Sequence, residues 1–225
     1  MTDFITKING VLLIDYDVAL LDYKTGAINL SGNYFKADKR LRPVIFNSEM
    51  PLRTITIRLE IMDSSDEWAE ATGSKLTAIF SKETELTLPD GYYYRCVLDK
   101  TKEPVRIAKG IFVREFSLVG YRHGKMITET ITETSDIKVQ GNYKTEVRYT
   151  ITPSSAIVTI NGITINEATG EIIVIDGVDC LVTENGINKF ADCDMTEFPC
   201  LETGTQTIQI SGASSVKIEY YPIYY

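Results

Sequence analysis

Few side chains in this sequence could do chemistry, and their spacing limits what that chemistry is. A nucleophilic triad needs a base beside the nucleophile. The chain holds one imidazole, His123, in Tyr121-Arg122-His123-Gly124, which reads as a turn. Glycoside hydrolysis needs two positioned carboxylates, and Asp176 with Asp179, or Asp192 with Asp194, can be proposed for it. Neither pair sits in a recognisable motif, and both fall in turn-like sequence where Asp serves the backbone. Asp192-Cys193-Asp194 beside Glu197 offers oxygen ligands for Ca²⁺, without the glycine-centred spacing of an EF-hand loop. Cys96, Cys180, Cys193 and Cys200 are irregularly spaced, with no Cys-x-x-Cys pair, so a structural zinc site is not expected. They read as reduced, mostly buried thiols. On this inventory the chain is expected to be no enzyme, and to carry no cofactor, catalytic residue or metal.

Two non-catalytic features carry more information. Lys36, Lys39, Arg40 and Arg42 cluster between Gly32 and Pro43, an island of positive charge in a chain of formal net charge -8. Such an island suits an arm that touches an acidic neighbour; the alternative is a solvated loop. The acidic balance argues against specific nucleic-acid binding, which needs basic residues in excess. Tyrosines are the second feature: Tyr92, Tyr93 and Tyr94 in one segment, and Tyr220, Tyr221, Tyr224 and Tyr225 near the end. In a strand Tyr93 must point away from its two neighbours, leaving one side for an interface or a sugar, while core packing takes at least half the rings.

The elements that must position these residues are mostly strands. Thr54 to Ile61 places an aliphatic residue at every odd position and a polar one at every even position, the pattern of a half-buried antiparallel strand. Ser64 and Glu67 then form a capping box ahead of Trp68, Ala71, Thr72, Leu76, Ile79 and Phe80 at helical spacing, with a Trp68 and Phe80 face expected to hold the helix down. Gly73 costs that helix about 1 kcal/mol relative to alanine. Pro89-Asp90-Gly91 turns the chain into a strand from Tyr92 to Leu98, and further strands are expected at 11–21, 27–30, 105–107 and 110–121. Thr128 to Thr134 reads as a linker or an exposed strand.

From Tyr143 onward short strands follow one another without a helix. The pairs 156–160 with 163–165 and 171–175 with 178–182 flank Asn161-Gly162 and Asp176-Gly177, both hairpin signals. Strands at 207–210 and 216–221 complete a predicted β-sandwich of jelly-roll or galectin-like type. The fold class is therefore mainly β, in two domains: 1–130, β-rich with one inserted helix near 65–80, and 131–225, the sandwich. With 44% hydrophobic and 24% charged residues the composition is that of a soluble globular protein. No apolar run approaches the length of a membrane span, so no membrane insertion is expected. The N-terminus lacks the basic start and apolar core of a signal peptide, which implies folding in a cytoplasm.

The order of several motifs resembles the distal tail proteins of long-tailed bacteriophages over nearly the whole chain. In the first half these are Leu52 to Ile61 leading to a helix, Leu88-Pro89-Asp90-Gly91-Tyr92-Tyr93-Tyr94, and a strand ending in Tyr121-Arg122-His123. In the second they are Gly141-Asn142-Tyr143, Ile172 to Asp176, Asn188, and Phe198-Pro199-Cys200-Leu201-Glu202-Thr203-Gly204 before the last strands. The resemblance implies a structural virion protein at the tail tip, made in the host cytoplasm from a phage or prophage gene. It implies a homo-hexameric ring built by the first domain, a tail tube protein above and a tail-associated lysin or tail fibre below, with DNA passing through unbound. The galectin-like domain would then be an outer platform for a receptor-binding protein or a host glycan. Alternatives of other classes are a free carbohydrate-binding module and, less well supported by the residues, a glycoside hydrolase.

Overall fold

A computed structural model of the chain describes residues 6–28, 34–35, 44–45 and 52–225. They belong to two compact units, Met1–Arg122 with Tyr225, and His123–Tyr224. The fold is mainly β: the first unit is β-rich with one α-helix, and the second is a β-sandwich.

In the first unit the strands are β1 (Lys7–Ile8), β2 (Val11–Leu12), β3 (Val18–Thr25), a short pair β4 (Tyr34–Phe35) and β5 (Val44–Ile45), and β6 (Arg53–Met62). After the helix α1 (Asp66–Phe80) come β7 (Thr84–Thr87), β8 (Tyr93–Thr101), β9 (Val105–Ala108) and β10 (Ile111–His123). The main sheet runs β2-β1-β7-β8-β10-β6-β3, with β9 also on β10. Its long seam is the antiparallel pair of β6 and β10, from Ile111 opposite Met62 to Gly120 opposite Arg53. The alternation in β6 is obeyed: Ile55, Ile57, Leu59 and Ile61 are buried, while Thr54 and Arg58 face solvent. The strand expected over 11–21 is broken by a 3-10 turn at Leu13–Tyr16 that ends on Asp17 at φ 57°. Ala27 and Ile28 lie outside any strand, and residues 29–30 fall outside the described residues.

The helix forms where its apolar stripe predicts, but its cap and its packing face differ from the sequence expectation. Ser65, not Ser64, is the N-cap, its hydroxyl accepting from the Trp68 amide at 3.3 Å, and Ser64 instead bonds the Asp63 carboxylate. Ala69, Gly73, Leu76 and Phe80 form the buried face, whereas Trp68 is 60% exposed. The stripe at positions 69, 73, 76 and 80 points one way on a 3.6-residue repeat, and Trp68 sits one residue off it. Phe80 meets Phe116 of β10 with ring centroids 5.0 Å apart. Gly73 faces Arg114, a charged residue at a core-facing position of β10, whose guanidinium runs over the glycine to Glu70 at 2.5 Å. A Cβ at position 73 would stand 2.3 Å from Arg114 Nε, so the glycine makes the passage the arginine uses.

The second unit contains β11 (Ile127–Ile131), β12 (Ser135–Val139), β13 (Thr145–Pro153), β14 (Val158–Ile160), β15 (Ile163–Ile165), β16 (Ile173–Asp176) and β17 (Leu181–Glu184). It continues with β18 (Ile187–Asn188), β19 (Cys193–Asp194), β20 (Cys200–Leu201), β21 (Gly204–Ile208), β22 (Ile210–Ser211), β23 (Ala213–Tyr220) and β24 (Ile223–Tyr224). One sheet runs β11-β23-β13-β16-β17-β18, with β20 added on β13. A second runs β19-β15-β14-β22, and β12 pairs β21. Inward side chains of all three meet in one core, including Tyr149, Ile151, Ile160, Ile165, Ile208 and Ile218.

Segment 128–134 is thus largely a strand, since Ile127 to Ile131 pair with Tyr220 to Val216. The join expected between residues 130 and 131 falls inside it. Asn161-Gly162 makes the two-residue turn its sequence announces, with φ of 46° and 82°. Asp176-Gly177 does not: Asp176 pairs with Leu181, so the turn spans residues 177–180 and Asp176 ends the strand. Its Oδ1 accepts from the amides of Val178 and Asp179 at 2.9 and 3.2 Å, a use of Asp that favours a longer loop over a tight turn.

The passage over Gly73 makes a signed prediction. Gly73→Ala, which stabilises an ordinary helix by about 1 kcal/mol, should here destabilise the chain by about 1–3 kcal/mol through overpacking against Arg114. In an Arg114→Ala background the sign should revert to stabilising. Urea denaturation of the four chains of this cycle measures it, and a stabilising Gly73→Ala in the otherwise unaltered chain would refute the account.

Candidate functional site

Several of the residues singled out for chemistry have structural employment. His123 is not in a turn: it ends β10 and is buried, its ring edge-on to Tyr221 with centroids 5.1 Å apart and Nδ1 2.8 Å from the Gly124 carbonyl. Asp176 caps its own loop and lies 3.6 Å from Arg148 Nε. Asp192 pairs with Lys189 at 3.0 Å, and Asp194 accepts from Asn166 Nδ2 at 3.1 Å. Among the described residues no three His, Cys, Asp or Glu side chains gather as a metal-ligand group. All four thiols are free, but only Cys96 is buried, and burial pushes its pKa up to about 12. Cys180 and Cys200 are exposed: Cys180 lies in the loop between β16 and β17, and Cys200 is the outward residue of the two-residue strand β20, whose Leu201 is buried. Lys36, Lys39, Arg40 and Arg42 lie outside the described residues.

Of the three neighbouring tyrosines, Tyr94 is buried on the core side of β8, and its hydroxyl donates to Asp90 Oδ2. Tyr92 is half-buried and carries the Arg122 guanidinium 4.1 Å from its ring centre, a cation held over an aromatic face.

One concavity in the second unit gathers residues that are far apart in the chain. It is a cavity of about 230 Å³ lined by Tyr149, Asn161, Ile163 and the run from Met195 to Cys200. Sequence reasoning missed it, since its residues come from β13, the 161–162 turn and a loop far apart in the chain. Each wall is held from behind. The Asn161 side chain bridges the turn to the last strands, its Oδ1 accepting from the Gln209 amide at 2.9 Å and its Nδ2 donating to Tyr149 Oη at 3.5 Å. Phe198 packs on the core and stacks against Phe190 with centroids 6.0 Å apart. Pro199 is buried, and its carbonyl accepts from the Val147 amide at 3.3 Å. Gly177 makes room for it, since a Cβ there would stand 2.4 Å from the Pro199 oxygen.

An ion-pair knot braces the loop that leads into this wall. Lys189 Nζ reaches Glu184 at 3.3 Å, Asp192 at 3.0 Å and the Glu167 carbonyl at 2.9 Å. Glu184 Oε1 also accepts the Thr169 amide at 2.7 Å and the Thr169 hydroxyl at 2.9 Å. Burial works to raise the Glu184 pKa, but the two Thr169 bonds and Lys189 outweigh it and hold the carboxyl below its usual range. Lys189 is held above its usual range, chiefly by the hydrogen bond to Asp192.

No protein-family model and no curated protein matches the chain. Solved structures do match it. The Dit protein of phage SPP1, a paradigm of hub adsorption apparatus in phages that infect Gram-positive hosts, aligns with a TM-score of 0.71 at 11% identity, over 98% of this chain and 99% of that one. The chain has the Dit fold. A chain of the phage P2 baseplate in its activated conformation with Ca aligns with a TM-score of 0.61 at 12% identity, over 94% and 92%. The same baseplate with Sr gives 0.61 at 12%, over 93% and 92%. The Dit fold accounts for the motif that suggested it: in Phe198-Pro199-Cys200-Leu201, Phe198 and Leu201 anchor in the core and Cys200-Leu201 pairs with β13.

The knot gives a pH dependence with a definite sign. Folded Glu184 loses its proton more readily than unfolded Glu184, so its stabilisation is present at neutral pH. It disappears as pH falls below about 4.3, the ordinary Glu value, and on through the lower folded value. The raised Lys189 contributes throughout that range and is lost only as pH rises through its folded pKa. Thermal unfolding from about pH 7 to about pH 3 should show the wild-type Tm falling more steeply than that of Glu184→Gln. Parallel curves would remove Glu184 from the account.

Proposed function

We propose that this chain is a structural hub of a phage baseplate: a homo-hexameric ring at the tail tip that joins the tail tube to a tail-associated lysin or fibre and to receptor-binding proteins. The observation that carries this reading is the match of almost the whole chain to almost the whole of SPP1 Dit, with P2 baseplate chains in the same fold. The residue inventory agrees with a non-enzymatic role. His123 is buried against Tyr221, Asp176 caps a loop and Asp192 is tied to Lys189, so these three groups already serve the fold. A hub works through broad sheet faces and loops, with binding energy spread over subunit contacts, and needs no reactive pocket.

In this reading the first unit closes the ring and the second stands as a docking platform. The Lys36 to Arg42 segment contacts an adjacent subunit or the tube, its charge opposite to that of the chain as a whole.

Negative-stain microscopy of the purified full chain should show sixfold rings with an open centre, and a uniformly monomeric particle would count against the hub. Reversing Lys39, Arg40 and Arg42 to glutamate should weaken assembly, with the defect larger at low salt, because exposed charge pairs are screened beyond about 10 Å at 0.1 M. Equal assembly of both forms at low salt removes the segment from the interface. Residues 123–224 expressed alone should give a folded monomer by circular dichroism and light scattering, since their core is built from their own strands. An unfolded fragment, or one that forms rings, would overturn the division of labour.

A further inference from the structure

We propose that the cavity beside Tyr149 binds one unit of a neutral polyhydroxylated ligand, a hexopyranose ring of a surface glycan. The inference rests on the second unit alone and does not depend on ring assembly.

The deciding group is the Tyr149 hydroxyl. Tyr149 is 1% exposed and its phenol oxygen accepts from Asn161 Nδ2, but its own hydrogen has no acceptor among the described residues. Burial keeps the phenol protonated, so the O–H is a standing donor at the cavity. A buried donor calls for an acceptor, and the cavity is where one can enter. Ammonium and guanidinium groups have no lone pair to offer and fail this requirement.

The rim excludes the opposite class. Glu197 lines the cavity, and Cys200 beside it has its thiol pKa raised by burial and by Glu197, Glu202 and Glu146, against the opposing charge of Lys144. That predominantly acidic surround opposes a carboxylate, sulfate or phosphate. A ligand hydroxyl meets both demands, accepting from Tyr149 with its oxygen while donating its hydrogen to a rim carboxylate.

Ile163, Met195 and Phe198 add an apolar wall, which suits the C–H face of a pyranose and not a linear polyol or a lone water. The volume of about 230 Å³ lies below the roughly 300–1,000 Å³ of sites for drug-sized molecules, so a single ring fits and a longer glycan must leave through the mouth. The Asn161, Phe198 and Pro199 braces hold the walls before any ligand arrives, which reduces the ordering cost of binding.

The experiment is saturation-transfer NMR on the full chain with methyl glucoside, methyl galactoside and N-acetylglucosamine, with glucuronate as the anionic probe and lysine amide as the cationic one. At least one neutral sugar should bind with a Kd of about 1 mM, the scale of a small ligand making few contacts. Tyr149→Phe and Glu197→Gln should each weaken it about 2- to 12-fold, the range for one net hydrogen bond. Both variants should keep the wild-type Tm, because the Asn161 bond to Tyr149 is long at 3.5 Å and Glu197 is exposed. If Tyr149→Phe unfolds, Glu197→Gln alone decides. The proposal is overturned if no neutral sugar binds at about 10 mM, tenfold above that Kd. It is equally overturned if binding survives both variants at full strength, or if glucuronate or lysine amide binds in preference.

Discussion

Strand β13 is the constraint around which the second unit is arranged. A central strand must satisfy its backbone amides on both edges while burying one face, and β13 does so with β23 on one side and β16 and β20 on the other. Once Val147, Tyr149 and Ile151 are turned inward, the register of both neighbours is determined, because a slip of one residue would expose every one of them. The same register brings the Tyr149 hydroxyl to the cavity and holds Pro199 against Gly177. Packing and the proposed binding site are therefore one decision, made by the pairing of a single strand.

The first unit meets a related problem with a different device. The core face of its β6 and β10 seam includes two arginines, Arg53 and Arg114, at positions that alternation assigns to the interior. A buried guanidinium is costly unless it finds charge or escapes to water. Arg114 escapes over Gly73 to the exposed side chain of Glu70. Arg53 stays inside at 7% exposure, where burial and then the nearby Arg122 depress its pKa, while Tyr94 and Asp90 offset part of that effect. The glycine that weakens α1 in a propensity count is thus the residue that lets the helix lie on a sheet with a charge in its face.

The proposed hub role and the proposed sugar site make different demands on a fold. The layering of sheets persists while the sequence changes, as 11% identity to SPP1 Dit at a TM-score of 0.71 illustrates. Recognition of a small ring needs a few side chains held in place. Those of the proposed site come from β13, the 161–162 turn and a loop pinned by the Lys189 knot at one end and by the β20 pairing at the other.

What the sequence determined by itself is whatever local pattern controls. The alternation of Thr54 to Ile61, the presence of a helix at α1, the Asn161-Gly162 turn and the succession of short strands after Tyr143 are readable because each depends on neighbours within a few residues. The tertiary structure decided what depends on distant partners. His123 reads as a turn beside Gly124 until Tyr221 packs against it. Trp68 reads as core until the stripe on Gly73 turns it to solvent. Asp176-Gly177 reads as a tight turn until the pairing of Asp176 with Leu181 lengthens it. The cavity could not be seen at all in the sequence, since Tyr149, Asn161 and Glu197 become neighbours only through strand pairing, and no spacing in a chain records which strands will pair.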